Sequence, residues 1–144
     1  MWGEYALSGL AIYVLAVLYV VQMIVGDLAQ DAAGHTPGRA FEGTHDQFAF
    51  RAVRAPANSL ENMPFMMVLT ALGIAFGAAP LVTNGLAVAA VGCRLVHMLA
   101  YYADRRYVRG YSWMAGVLVM LLMIGNVGWS AATNLDWGSL VTFP

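Results

Sequence analysis

Three stretches without a single charged residue, Tyr5 to Gly26, Asn62 to Cys93 and Gly110 to Leu135, constrain this chain more than any other feature. A helix of about 20 apolar residues crosses the hydrocarbon of a bilayer. Backbone N–H and C=O groups in lipid find partners only when such a helix supplies them. The middle stretch is too long for one crossing and is broken at Gly77-Ala78-Ala79-Pro80, so it holds most of two. Four helices follow, placed at 5–25, 45–77, 81–103 and 111–132 within a single transmembrane domain covering 1–144. Composition agrees. The chain is 60% hydrophobic and 10% charged, has no lysine, and has a mean hydropathy of +0.66, which excludes an ordinary soluble domain. The expected fold class is an all-α integral membrane protein, a four-transmembrane-helix bundle.

Met1-Trp2-Gly3-Glu4 has neither the basic start nor the cleavage site of a secretory leader, and the apolar run after it is of full spanning length. The reading is a retained first helix. Cys93 is the single cysteine, so no intrachain disulfide is available. Nucleic acid is excluded as a partner because the arginines are split among short segments next to the spans. Arg39, Arg51 and Arg54 fall in or just after the first loop and Arg105, Arg106 and Arg109 in the third. By the positive-inside rule loops one and three are cytoplasmic and both termini lie on the opposite side. Thr44 and Gln47 have capping-box spacing, which predicts that the second helix starts there. Pro56 and Pro64 each remove one hydrogen bond from that helix, predicting a kink or local widening.

Two rows of polar residues enter the same leaflet. Arg51, Arg54, Asn58 and Glu61 recur at i, i+3, i+7 and i+10, which confines them to one stripe of the second helix, with Asn62 at its border. Arg94, His97 and Tyr101 repeat the i, i+3, i+7 spacing on the third. Charged groups in hydrocarbon cost several kcal/mol, so they face the bundle interior and pair with one another or with a ligand. Arg94 and Glu61 are the deepest of the set, and a pairing between them is one expectation. Guanidinium forks grip carboxylates and a carboxylate receives an ammonium, so the set suits a small zwitterion with more than one carboxylate. The bilayer beside it supplies an apolar second substrate. Conjugation is the chemistry such a pairing points to.

The run Arg51-Ala52-Val53-Arg54-Ala55-Pro56-Ala57-Asn58-Ser59-Leu60-Glu61-Asn62-Met63-Pro64-Phe65 resembles the helix-two signature of the MAPEG family, membrane-associated proteins in eicosanoid and glutathione metabolism. Arg94-Leu95-Val96-His97-Met98-Leu99-Ala100-Tyr101 resembles its helix-three signature, and the resemblance covers all four helices in order and length. It implies a homotrimer holding glutathione, as co-substrate, between neighbouring subunits near the cytoplasmic face. Carried over by position, Arg54, Asn58 and Glu61 hold the charged ends of the peptide, with Arg51 and Asn62 close by. Arg94, His97 and Tyr101 line the same pocket. An arginine just after helix three faces the thiol in catalytic members; Arg109 is the choice for that role, with Arg105 and Arg106 as rivals. A neighbouring cation lowers a thiol pKa from about 8.5 and so raises its nucleophilic fraction. Tyr101 adds a hydrogen bond to the sulfur.

The implied activity is a glutathione transferase, with peroxidase or isomerase chemistry as variants, acting on lipophilic electrophiles or hydroperoxides drawn from the bilayer. The sequence departs from catalytic relatives in two places. Helix one offers only Gln22, with Asp27 beyond it, where a basic residue is common, and Pro56 stands at a position more often polar. A non-catalytic lipid-binding or scaffold protein is the competing reading. A small four-helix transporter ranks third, because the charges cluster in one leaflet and Glu61, the only candidate carrier, has arginine-rich surroundings that argue against proton coupling. Tyr102 and Tyr107 read as interfacial aromatics, the methionines as packing, and Asn126 as a hydrogen bond between helices. His35, His45 and Cys93 lack the partners of a metal site, so no metal is expected.

Overall fold

The computed structural model describes residues 3–36 and 38–136. Four helices account for most of them: α1 (Ala6–Ala32), α2 (Phe48–Ala75), α3 (Pro80–Tyr102) and α4 (Arg106–Asn134). The third falls where hydropathy placed it. The first runs seven residues past its expected end and the fourth begins five residues early, because a helix that leaves hydrocarbon keeps its hydrogen bonds until something stops it.

What stops three of the four is the same device. At Gly34, Gly77 and Asp104 the backbone turns left-handed, with φ of 72°, 65° and 54°. In each case the next amide reaches back to close the last turn: His35 N to Gln30 O at 3.1 Å, Ala78 N to Gly73 O at 2.9 Å and Arg105 N to Ala100 O at 2.8 Å. Glycine adopts this conformation freely, whereas Asp104 pays a steric cost in it. The capping box does not form. Thr44 Oγ donates to the Asp46 carboxylate at 3.1 Å instead, and α2 starts after Gln47 with no side-chain cap, so its start at 45 is corrected to Phe48. Both prolines lie inside α2, which continues through them as one helix.

Side-chain contacts define an up-down-up-down arrangement. Ser8, at the start of α1, meets Asn84 at the start of α3 through hydroxyl and amide bonds of 2.7 and 2.9 Å. The Tyr5 hydroxyl donates to the carbonyl of Ala78 in the α2–α3 turn, and Asn134 at the end of α4 donates to Phe76 O and Gly77 O, both at 3.0 Å. Near the same end, Asn126 Nδ2 donates to Thr83 Oγ1 at 3.1 Å, the expected bond between helices. α2 and α3 pack centrally, and α1 and α4 flank them without approaching each other among the described residues. The core is Leu15, Met63, Met66, Ala90, Val119 and Met123, so the buried methionines do serve as packing.

Three helices, α1, α3 and α4, are long and apolar enough to cross a membrane; α2 is not, since its first half carries the polar row. α2 nevertheless lies alongside α1 for its length, bonded to it at Gln22–Ser59 and, through the turn that follows α2, at Tyr5–Ala78. Gly26 makes this close packing possible, because a Cβ there would stand 3.2 Å from Ala52 O. That carbonyl is the one left without its helical amide by Pro56.

Candidate functional site

The α3 row is built as its spacing predicts. Arg94, His97 and Tyr101 are all buried, at 1%, 2% and 6% exposure, on the face of α3 that meets α2 and α4. Arg94 donates through one terminal nitrogen to Ser59 Oγ at 2.9 Å and to Asn58 Oδ1 at 3.3 Å. Ser59 in turn donates to Gln22 Oε1 at 2.7 Å, and Gln22 Nε2 donates to Leu18 O at 3.1 Å. A continuous polar chain therefore crosses α3, α2 and α1 inside the bundle, with Ser59 and Gln22 wholly buried. Arg94 Nε has no hydrogen-bond partner among the described residues.

The α2 row divides. The buried face of α2 runs through Arg51, Ala55, Ser59, Asn62 and Met66, at helical spacing. Arg54 and Glu61 each stand one residue before a member of that face, about 100° round the helix, and both are exposed in the single chain. Among the described residues neither makes a hydrogen bond or a close ion pair, so the expected Arg94–Glu61 pair is not a direct contact: Ser59 and Asn58 take that guanidinium, and Glu61 acts on it only at longer range. Asn58 is half-buried, and Asn62 is buried with its amide turned back onto Asn58 O at 3.1 Å. Arg51 is committed locally, donating to the carbonyls of His45 and Asp46 and lying 3.9 Å from Asp104.

Arg109 stands in the first turns of α4 rather than in a loop, since the α3–α4 connection is only residues 103–105. Of the three arginines there, Arg105 and Arg106 are exposed, with Arg106 over the Tyr107 ring, while Arg109 is half-buried with its guanidinium 4.7 Å from the Tyr101 ring centroid. His97 joins this group. Its ring stacks edge-on to Tyr101 at 5.2 Å, and its Nδ1 lies 3.0 Å from Arg109 O and 3.2 Å from Ser112 Oγ.

Sequence reasoning missed Ser59, Ser112 and His45, the last of these 3.5 Å from the Arg109 guanidinium. A signal for Ser59 existed: Gln22 is the only strongly polar side chain in the first apolar run, and a buried amide needs a partner at its own depth.

The geometry is that of a helical membrane bundle with a polar site near one end. The chain belongs to the MAPEG family, whose sequence profile matches residues 6–129. Comparison with curated proteins returns no match.

Proposed function

We propose that this chain is a glutathione-dependent membrane enzyme that conjugates or reduces lipophilic electrophiles. The observation that carries the reading is the unmet demand on the outer flank of α2. Arg54 and Glu61 are exposed, opposite in charge, without a hydrogen bond or close ion pair among the described residues, and seated beside the Arg94–Asn58 contact. At membrane depth such groups need protein or ligand around them. A second copy packed on this flank, in a homotrimer, encloses them, and a peptide with two carboxylates and one ammonium satisfies them. Family membership supports glutathione-related chemistry in the membrane.

In this reading Arg54 and Asn58 hold carboxylates, Glu61 accepts from the ammonium, and Arg51, Asn62, Arg94 and His97 complete or brace the pocket. Arg109 stabilises the thiolate as a fixed cation, and Tyr101 donates a hydrogen bond to the sulfur. The end carrying loops one and three faces the cytoplasm, by the arginine distribution. The apolar partner enters from the lipid.

A non-catalytic, lipid-presenting role is the second reading. One observation favours it: Arg94 is already engaged by Ser59 and Asn58 of its own chain.

Calorimetry with glutathione and a conjugation assay with an aromatic electrophile test both. Binding with turnover is expected from detergent-purified protein. Binding without turnover establishes the second reading, and absence of binding removes glutathione from the account.

A further inference from the structure

His97 holds the backbone of the residue proposed to act on the thiol, and it does so from a different helix. A carbonyl oxygen only accepts, so the 3.0 Å contact to Arg109 O requires the proton on Nδ1. That carbonyl already accepts from Ser112 Oγ at 3.0 Å, in addition to its place in the α4 ladder. The imidazole, the Ser112 hydroxyl and the Arg109 carbonyl thus form a closed triangle where α3 meets the first turns of α4. The same ring packs edge-on against Tyr101, over which the Arg109 guanidinium lies. One side chain contacts both the main chain of Arg109 and the aromatic surface on which its head group rests. Nε2 is buried with no hydrogen-bond partner among the described residues, so the paired nitrogen is the one facing α4.

Resting on the reading of Arg109 above, we propose that His97 is a positioning residue: its Nδ1–H fixes the rotation of the first turns of α4 and thereby the place of the Arg109 guanidinium beside Tyr101. Its own head group need not touch the peptide or the electrophile. Displacing a group by about 1 Å from its working position costs on the order of a hundredfold in rate, so a role of this kind shows in kcat.

The test uses the full chain with His97→Phe, His97→Asn and His97→Gln. Asparagine presents a donor near the Nδ1 position; glutamine presents one near Nε2. Phenylalanine is expected to lower kcat about tenfold to a hundredfold, by a larger factor than it weakens glutathione affinity measured by calorimetry. Asparagine is expected to restore most of that loss and glutamine little of it. The double variant His97→Phe/Arg109→Ala is expected to be no slower than Arg109→Ala alone, since residues acting through one another are not additive.

Rescue by glutamine and not asparagine, or fully additive losses, overturns the proposal. Amide hydrogen exchange over residues 105–112 gives a readout that does not need turnover. Exchange there rises in the phenylalanine variant and recovers in the asparagine variant if the proposal holds, and unchanged exchange overturns it. A wild-type chain without turnover overturns the enzymatic reading alone, and exchange still decides the role of His97.

Discussion

Arg109 and Ser59 carry the sharpest consequences at the scale of single residues. Arg109→Ala removes the cation nearest Tyr101 without touching Arg54, Asn58 or Glu61. Conjugation is therefore expected to fall about 100-fold or more while glutathione binding persists, as read by turnover and calorimetry together. Ser59→Ala breaks the Gln22–Ser59–Arg94 chain at its centre and leaves a buried amide and a buried guanidinium each short of a partner. A loss of about 1–3 kcal/mol is expected, seen as a lower thermal midpoint in detergent. The contrast between these residues explains what was legible. Arg94, His97 and Tyr101 announce themselves because charge and aromatic hydroxyls are rare in apolar helices. Ser59 does not, because a serine in a membrane helix can bond to its own backbone and gives no sign of which neighbour it chooses.

Elements of this protein are bounded more firmly at their ends than at their starts. Three helices finish in a left-handed residue closed by a backbone bond, while none begins with a side-chain cap. Asp104 occupies that conformation without glycine's freedom, and its one ion pair, with Arg51, is long and half-exposed. Asp104→Gly is expected to raise stability by up to about 1 kcal/mol, measurable as a higher unfolding midpoint. Gly26 is the opposite case. Gly26→Ala places a methyl 3.2 Å from Ala52 O and pushes α1 from α2, with an expected cost of about 1–3 kcal/mol. Gly92→Ala meets nothing within 4 Å and serves as the control free of any clash, with an expected gain of up to about 1 kcal/mol from alanine's helical preference. Helix existence was legible from hydropathy because lipid leaves the backbone no alternative. The reach of α1 to Ala32 and the start of α4 at Arg106 were not, since both lie at the level where apolar periodicity ends and water can also satisfy the chain.

The molecule as a whole presents one face that its own chain does not complete. The inward row of α3 is closed by α2 and α4, but the Arg54–Glu61 flank of α2 is open. If a second copy closes it, glutathione binding depends on assembly. Sedimentation in mild detergent is then expected to give three copies of the 15.5 kDa chain. Arg54→Leu and Glu61→Leu should weaken glutathione binding without unfolding the single chain. A monomer that binds as well would reject this. Periodicity put Arg51, Arg54, Asn58 and Glu61 on one inward stripe, whereas Arg54 and Glu61 stand exposed in the single chain; a single sequence cannot distinguish a stripe facing its own bundle from one facing a neighbour, because both are hidden from lipid by the same rule. The short connection at 103–105 also has a bearing on how such a chain can change over time. Arg109 is carried on a helical screw rather than on a pliable segment, so its bearing is counted in whole residues. One residue added within the opening turns of α4 would swing it by about 100°, away from Tyr101, while leaving the hydrophobic pattern nearly intact. Length variation in that stretch would thus silence the proposed chemistry long before it disturbed the bundle.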